Sequence, residues 1–200
     1  MLYGTSQRLD VFVGPRSAVF LLPDPITCFR NAEYKQTQIF HLAADSSAVL
    51  LDWIASGRKA LGEDWSFTRY HSLNELWVED KRVARDTLLL EDRPDDIRGL
   101  SSRALSDRLA PYSCYATVFL YGALTASTRQ ALQDEYDRIS LFRRSAPPDL
   151  IWSFAPIHHD QGCVLRAAAI ETEAIQQWLK QSLRLLENVL GRDTYRNAFK

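Results

Sequence analysis

The sequence predicts a mainly β fold with two late α-helices, an α+β arrangement. Short apolar runs bounded by glycine and proline recur through the first half of the chain, which is typical of strands. An apolar spacing of three and four residues, typical of helices, appears only after residue 127. Strands therefore do not alternate with helices as a βαβ design requires. With 200 residues, 46% of them hydrophobic and 24% charged, the chain suits a single domain over residues 1–200.

Turn residues set the limits of the first strands. Apolar runs at 9–14 and 18–23 end at Gly-Pro and Pro-Asp-Pro. A third run, 33–43, mixes polar and apolar residues. At a period of two it places five side chains on one face: Tyr34, Gln36, Gln38, Phe40 and Leu42. Because two of the five are glutamines, this is not a plain apolar core face.

Two longer strands and a hairpin follow. Residues 47–55 predict an apolar strand, and residues 65–79 predict a long one whose common side carries Trp65, Phe67, Leu73 and Trp77. A tight turn at residues 79–81 connects it to a strand at 82–90, which predicts a hairpin. Residues 91–110 are charged and poorly periodic, and they predict a mobile surface loop with one short helical turn.

The remaining elements include both helices. Residues 112–122 predict a strand, and residues 151–157 and 163–170 predict a strand pair with its turn at 158–162. The segment Ser127-Thr128-Arg129-Gln130 fits a capping box at the start of an amphipathic helix over 128–143. A last helix over 172–190 has Thr172 as its cap, repeats apolar residues at three and four, and ends at Gly191.

Charge and cysteine content narrow the class of protein. The chain has 24 Lys and Arg against 25 Asp and Glu, a formal charge of -1, so no global field attracts nucleic acid or an anionic membrane. Its 3 cysteines are too few and too far apart for a disulfide framework, and the odd count fits a reducing compartment. No apolar run approaches the roughly 20 residues of a membrane span, and the first residues do not resemble a secretion signal. We therefore expect a cytoplasmic protein.

Recognisable catalytic motifs are missing from the sequence. It contains no nucleophile elbow, Walker loop, dinucleotide fingerprint or His-Glu-x-x-His, which argues against an enzyme. His158-His159-Asp160 is the only cluster of typical metal-ligand residues. Adjacent residues of an extended strand point to opposite faces, so we expect a solvated turn there unless the turn folds the two imidazoles together.

Three further side chains are candidates for a polar site. Arg58 and Glu63 are spaced so that a guanidinium could pair with a carboxylate across a strand connection. That connection is either a structural loop held by one salt bridge or a polar patch for docking or ion passage. Asp24, held between two prolines, is either a turn residue or a fixed oxygen ligand for a divalent ion.

Several segments, taken in order, resemble the urease accessory protein D family, which is called H in some bacteria. The segments that carry the resemblance are Leu21-Leu22-Pro23-Asp24-Pro25 with Phe29, Tyr34-Lys35-Gln36, Leu51-Asp52-Trp53, Ser56-Gly57-Arg58 and Gly62-Glu63-Asp64-Trp65-Ser66-Phe67. The similarity is strong over about residues 19–90 and looser from 112 onward. Its most specific part is the spacing from Ser-Gly-Arg to Gly-Glu-Asp-Trp.

The resemblance implies a non-catalytic maturation factor with an irregular β-helix-like fold. Members of the family bind the urease apoprotein and join a nickel-binding GTPase and a helical adaptor, so that nickel reaches the metallocentre. An interior polar passage is thought to conduct the ion. The residues that match family motifs are Asp24, Tyr34, Gln36, Arg58, Glu63 and Trp65. The resemblance implies that Asp24 and Glu63 attract Ni²⁺ weakly, that Arg58 orients Glu63, and that no cofactor is bound tightly.

The resemblance also implies that an N-terminal part is missing. Members usually carry roughly a hundred further residues ahead of Leu9, the size of one strand-rich subdomain. We therefore expect this chain to correspond to the C-terminal two-thirds of the family domain, with an exposed strand edge where the stack is cut.

Two alternative functions remain open at this stage. One is a strand-rich carbohydrate hydrolase that uses Asp24 and Glu63 as paired carboxylates, one of them with a raised pKa. The other is an interaction module whose terminal helix, 172–190, is the binding face. The second alternative requires that Trp178 and Leu186 are not covered by the chain itself.

Overall fold

The computed structural model describes residues 4–91, 103–139 and 148–199, and this part of the chain is mainly β. Its strands, in chain order, are β1 (Thr5–Val13), β2 (Ala18–Leu21), β3 (Ile26–Thr27), β4 (Glu33–Leu42), β5 (Ser47–Ala55), β6 (Arg69–Val78), β7 (Lys81–Glu91), β8 (Cys114–Tyr121), β9 (Leu150–Ile157) and β10 (Gly162–Ala169). The mainly β class with later helices agrees with the sequence prediction.

Most of the helical structure lies in the last third of the chain. The helices are α1 (Leu105–Leu109), α2 (Ala126–Ile139), α3 (Thr172–Ser182), α4 (Glu187–Leu190) and α5 (Arg192–Ala198). Short 3-10 turns occupy Lys59–Leu61, Ala123–Thr125 and Arg184–Leu186. None of the helices in the described ranges is long and apolar enough to span a membrane.

The strands form two sheets, and the chain alternates between them. The first sheet has the order β1-β4-β6-β7, with β1, β4 and β6 parallel and β7 antiparallel. The second sheet has the order β2-β5-β8-β10-β9, with β2 parallel to β5 and the others antiparallel; β3 also pairs with β5. The chain runs from β1 in the first sheet to β2 in the second, and then again from β4 to β5. Because β1 pairs in parallel with β4, and β2 with β5, the second pair of strands stacks on the first.

Apolar side chains fill both faces of the second sheet. One cluster packs that sheet against the C-terminal helices and includes Val118, Leu165, Ile175 and Leu179, all almost fully buried. A second cluster lies between the two sheets around Phe40 and Leu76. A third, around Trp65, Phe67 and Tyr70, lies at the other end of the same interior. The second sheet is therefore the central layer of the molecule.

Several strand predictions are confirmed. The alternating face of residues 33–43 points inward on β4, and both of its glutamines are buried. The hairpin also forms, because β6 and β7 pair through a two-residue turn. Glu79 and Asp80 of that turn have φ values of 45° and 64°, as a hairpin turn of the I′ kind requires. The predicted pair at 151–157 and 163–170 corresponds to β9 and β10.

The long strand predicted over 65–79 is wrong at its start. β6 begins at Arg69, and its buried face carries Tyr70, Ser72, Asn74 and Leu76. Leu73 and Trp77 lie on the opposite, partly exposed face, whereas Trp65 and Phe67 precede the strand. Trp65 has a φ of 49°, and this left-handed residue breaks the period-two alternation that the prediction assumed.

The single terminal helix predicted over 172–190 is also wrong. α3 ends at Ser182, a 3-10 turn follows, and α4 and α5 are separate short helices. Glu171 occupies the cap position, so Thr172 is the first helical residue. Leu183 and Leu186 are fully buried, and Trp178 packs against the same cluster. The chain itself covers these side chains, which removes the argument for the terminal helix as a free binding face.

Two other helix predictions are corrected or only partly covered. α2 starts at Ala126, directly after the 3-10 turn, so Ser127 and Thr128 lie inside its first turn and form no capping box. Its predicted end near residue 143 lies outside the described residues. The helical turn predicted within 91–110 corresponds to α1, whose Leu105 is fully buried. Residues 92–102 also lie outside the described part, and the mobility of this loop stays a prediction.

Candidate functional site

A layer of polar side chains crosses the interior between the two sheets. On each of the strands β4, β5, β6 and β8, inward side chains are apolar at both ends and polar in the middle. We call the following residues the polar layer: Gln36, Gln38, Asp52, Ser72, Asn74, Asp86, Thr117 and Arg166. The layer separates the apolar cluster around Phe40 from the one around Trp65.

Backbone register brings the members of the polar layer into line. In the first sheet, Gln38 is paired with Asn74, and Asn74 is paired with Asp86. In the second sheet, Asp52 is paired with Thr117, which is paired with Arg166. Side chains at paired positions project to the same face of a sheet. The polar row of the first sheet therefore faces the polar row of the second.

Asp52 is the hydrogen-bond centre of the polar layer. Its Oδ1 accepts a hydrogen bond from Gln36 Nε2 at 2.7 Å. Its Oδ2 accepts from Ser72 Oγ at 2.5 Å and from Asn74 Nδ2 at 2.6 Å. Tyr70 Oη lies at 3.5 Å from Oδ1. The carboxylate is therefore held from several sides by neutral donors.

Burial raises the pKa of Asp52. Removal from water disfavours the charged carboxylate, and the negative charge of Asp86 acts in the same direction. The hydrogen bonds from Ser72, Asn74 and Gln36 lower the pKa and so oppose the effect of burial. A carboxylate with a raised pKa inside a polar interior is a typical feature of a functional site.

A second carboxylate, Asp86, lies across the layer and has a cationic partner. Arg166 donates to Asp86 Oδ1 from Nη2 at 2.6 Å and from Nε at 3.1 Å. Thr117 Oγ1 donates to Asp86 Oδ2 at 3.3 Å. The Asp86 side chain is 12% exposed and that of Arg166 is 37% exposed, so this ion pair reaches from the layer towards solvent.

A small cavity opens onto Asp52 from the side of the molecule where β1 and β2 form the edges of the two sheets. Its volume is about 140 Å³, and its walls include Asp24, Tyr34, Gln36 and Asp52. Asp24 is exposed. Tyr34 Oη donates to Gln7 Oε1 at 3.0 Å and lies 3.4 Å from Gln36 Oε1. The structure thus brings three of the residues chosen from the sequence, Asp24, Tyr34 and Gln36, to one opening.

Arg58 and Glu63 form the predicted ion pair outside this cavity. Arg58 Nη2 donates to Glu63 Oε1 at 2.7 Å, and Nε donates to Oε2 at 2.9 Å. The guanidinium lies 4.2 Å from the ring centre of Phe29. Hydrogen bonding from Arg58 holds the pKa of Glu63 below its usual value. Gly57 permits this loop because its φ is 143° and a Cβ there would lie 2.8 Å from the Glu63 carbonyl oxygen.

Trp65 has a structural position. Its side chain is almost fully buried, and its Nε1 donates to the carbonyl oxygen of Tyr112 at 2.9 Å. The ring packs edge-on against Phe67. Trp65 therefore supports the connection that carries Glu63 and does not line the cavity next to Asp52.

Tight metal-binding clusters do not occur in the described ranges. No three His, Cys, Asp or Glu side chains there come together at a spacing suited to a metal ion. The three cysteines are free and buried. Burial raises the pKa of Cys28 to about 11 and those of Cys114 and Cys163 to about 12, so all three remain neutral thiols near pH 7.

Sequence reasoning did not select Asp52, although it lies in one of the quoted segments. The available signal was a single carboxylate in the otherwise apolar run at 47–55. The glutamines of β4 were a second signal, because their face is inward. Neither pattern showed that Ser72 and Asn74, about twenty residues further along, complete the site.

Comparison with known proteins gives a consistent result. A family described as UreD urease accessory protein matches residues 3–199. The chain is 34% identical to "Urease accessory protein D" of Arabidopsis thaliana over 96% of this chain and 69% of that protein. It is 36% identical to "Urease accessory protein 4" of Cryptococcus neoformans over 88% of this chain, and 33% identical to "Urease accessory protein UreD" of Sorangium cellulosum over 94%. These matches span 57% and 56% of the two relatives, so the chain corresponds to little more than half of their length.

Proposed function

The chain belongs to the UreD urease accessory protein family, and from this premise we propose that it acts in urease maturation as a non-catalytic scaffold. In this role it binds the urease apoprotein together with a helical adaptor and a nickel-binding GTPase, and it helps to deliver nickel to the urease active site. The alternation of β1, β2, β4 and β5 between two sheets fits the irregular β-helix-like fold of such a scaffold.

The observation that carries the proposal is the polar layer with Asp52 at its centre. An interior of this kind costs stability unless its groups are hydrogen-bonded, and an apolar filling would avoid that cost. A polar layer between two apolar clusters is explained if an ion has to cross the interior. The cavity beside Asp24 then supplies one opening, and the ion pair of Asp86 and Arg166 reaches solvent on the other side.

The donor types of the layer suit transient contact with nickel. Carboxylate, amide and hydroxyl oxygens hold Ni²⁺ less tightly than imidazole or thiolate. A conduit needs sites that are favourable enough to enter and weak enough to leave. Asp52 and Asp86 supply negative charge along the path, while Arg166 offsets part of it, so a cation would not be trapped at Asp86.

Asp24 and Glu63 have different positions in this proposal. Asp24 lies at the rim of the cavity, where its carboxylate attracts a cation before it meets Asp52. Glu63 is engaged through both of its oxygens by Arg58, so nickel would have to compete with the guanidinium there. Arg58 orients Glu63, and both belong to a loop beside Phe29 that we assign to weak nickel contact or docking.

The carbohydrate hydrolase alternative gains no support from the geometry. A glycosidase acid needs a raised pKa, whereas Arg58 lowers the pKa of Glu63. The curated relatives are named as accessory proteins. We therefore do not propose a hydrolase.

The test is reconstitution of urease maturation with the full chain. Pull-down with urease apoprotein, adaptor and GTPase should recover the chain in a common complex, and the nickel content of the urease should rise. Asp52→Asn should lower the nickel content at least about tenfold while leaving the complex intact. Asp193→Asn, an exposed carboxylate on α5, is the matched control and should have no effect. Failure of the unaltered chain to associate with the urease apoprotein would overturn the proposal.

A further inference from the structure

The turn between β9 and β10 has an unusual backbone. His158, His159 and Asp160 have φ values of 49°, 52° and 63°, so three consecutive residues with side chains adopt the left-handed region. Each such residue is strained relative to the ordinary right-handed or extended conformations. A glycine or asparagine would adopt it more easily. The turn is therefore held in this shape by its surroundings.

Two contacts hold the turn against the end of the second sheet. Arg129 of α2 donates from Nη1 to the carbonyl oxygen of Asp160. The backbone N–H of Gly122 donates to the carbonyl oxygen of Gln161 at 3.0 Å. These contacts fix the position of the two histidines relative to Tyr121, the last residue of β8.

A short chain of hydrogen-bond contacts connects Gln161, Tyr121 and His158. Tyr121 Oη donates its single proton to Gln161 Oε1, at 2.9 Å. The same Oη lies 2.9 Å from His158 Nδ1, and with its own proton on Gln161 it is placed to accept a hydrogen bond from the Nδ1–H tautomer of the ring. The lone pair of the ring is then on Nε2. The rings of Tyr121 and His158 are stacked, with centres 5.9 Å apart and planes 15° apart, which also limits rotation of the imidazole.

This arrangement is the usual support of a metal-binding histidine. Such a histidine donates a hydrogen bond from one ring nitrogen to a neighbouring oxygen and offers the other nitrogen to the ion. Among the described residues, no hydrogen bond to Nε2 of His158 is found. The nitrogen that would ligate is thus the one left available.

His159 is close enough to supply a second nitrogen. It is exposed, and its ring centre lies 5.9 Å from that of His158, with the planes inclined at 45°. A nitrogen ligand lies about 2 Å from the metal, and the ring centre lies about 1 Å further, so two imidazoles on one ion have centres within about 6 Å. The observed separation lies within this limit.

We propose that His158 and His159 form a two-imidazole site for one divalent transition-metal cation of the nickel, copper and zinc class, with water completing the coordination. Imidazole suits these ions, and two protein ligands make the site exchangeable. Tyr121 is a positioning residue that holds His158 in the ligating tautomer. The site is separate from the polar layer, and it does not depend on the role in urease maturation.

The experiment is calorimetric titration of the full chain with Ni²⁺ alone, without urease or other proteins. The unaltered chain should bind one Ni²⁺ at this site. His158→Ala and His159→Ala should each weaken that binding at least about tenfold, and the double variant should lose it. Tyr121→Phe keeps the ring and removes the acceptor of the Nδ1 proton, so it should weaken binding about tenfold. X-ray absorption should detect two imidazoles on the bound nickel of the unaltered chain.

The matched control is His71→Ala, which removes a histidine on the outer face of β6 and should leave nickel affinity unchanged. Absence of Ni²⁺ binding by the unaltered chain at millimolar concentration would overturn the inference. So would a double variant that binds Ni²⁺ as tightly as the unaltered chain. The second result would leave the proposed urease role untouched, because that role is tested by complex formation and the nickel content of urease. The first would also count against direct nickel contact at the polar layer, while complex formation would still test the scaffold role separately.

Discussion

Asn74 links the two carboxylates of the interior, because its amide donates to Asp52 while its backbone position is paired with that of Asp86. The two acids differ in their partners. Asp52 accepts from neutral side chains, and Asp86 forms an ion pair with Arg166. This difference leads to distinct expectations for the two sites.

For Asp52, we expect a pH-dependent contribution to stability. Its folded-state pKa is raised by burial, so the folded protein binds the proton more tightly than the unfolded chain does. The stabilisation is fully present below the unfolded pKa of about 4 and is lost as pH rises through the folded pKa. Urea unfolding of the unaltered chain and of Asp52→Asn between about pH 4 and pH 8 measures this. The free energy of unfolding of the unaltered chain, minus that of the variant, should fall with rising pH. A difference independent of pH would contradict the assignment.

For Asp86, we expect a loss of stability when its cation is removed. Arg166→Met keeps the aliphatic stem but leaves a mostly buried carboxylate, with Thr117 as its remaining side-chain donor among the described residues. The free energy of unfolding should fall by about 1–3 kcal/mol. The double change Arg166→Met with Asp86→Leu should recover part of this, because no uncompensated charge remains. If the losses in free energy of unfolding add up in the double variant, the loss comes mainly from breaking the ion pair and not from leaving a buried carboxylate without its cation.

Asp24 and Glu63 are expected to act on nickel loading with different effects on folding. Asp24→Asn and Glu63→Gln should both lower the nickel content of reconstituted urease. Asp24 is exposed, so its change should leave the denaturation midpoint unaltered. Glu63→Gln removes a charge from a two-point contact with Arg58, so its midpoint should fall slightly. Unchanged urease activation in both variants would remove these residues from the mechanism.

The C-terminal helices are expected to behave as core. The Leu186 side chain is fully buried, with 0% of its surface exposed to solvent. Leu186→Ala should therefore lower the free energy of unfolding by about 2–5 kcal/mol. Val189, three residues further on and 40% exposed, is the matched control, and Val189→Ala should change it by less than about 0.5 kcal/mol. Equal effects of the two changes would contradict the packing described for this region.

Local signals predicted most strands but not the connections between them. Proline and glycine marked the ends of β1 and β2, and alternation identified the inward face of β4. The start of β6 was misplaced because a tryptophan at a positive φ has no sequence signature. The break after Ser182 was hidden because the apolar spacing of three and four continues through the 3-10 turn.

The candidate site was predictable only in part. The ion pair of Arg58 and Glu63 lies within one loop, and the sequence spacing was enough to predict it. Asp52 collects its donors from β4 and β6, whose positions depend on the pairing of strands far apart in the chain. Spacing along the sequence cannot reveal such a cluster, and it emerges only when both sheets are assembled.

The parallel stacking of β1 on β4 and of β4 on β6 has a consequence for how the chain reaches its native state. Thr5 is paired with Tyr34, and Glu33 with Arg69, so each pairing closes a loop of about thirty residues or more. The loss of chain entropy precedes the gain from these long-range contacts, and topologies of this kind fold in milliseconds to seconds, far more slowly than helical bundles. β1 lies at the edge of the first sheet and pairs with β4. Until such long-range pairs form, strand edges can associate with other chains, so we expect dilution to raise the yield of native protein on refolding.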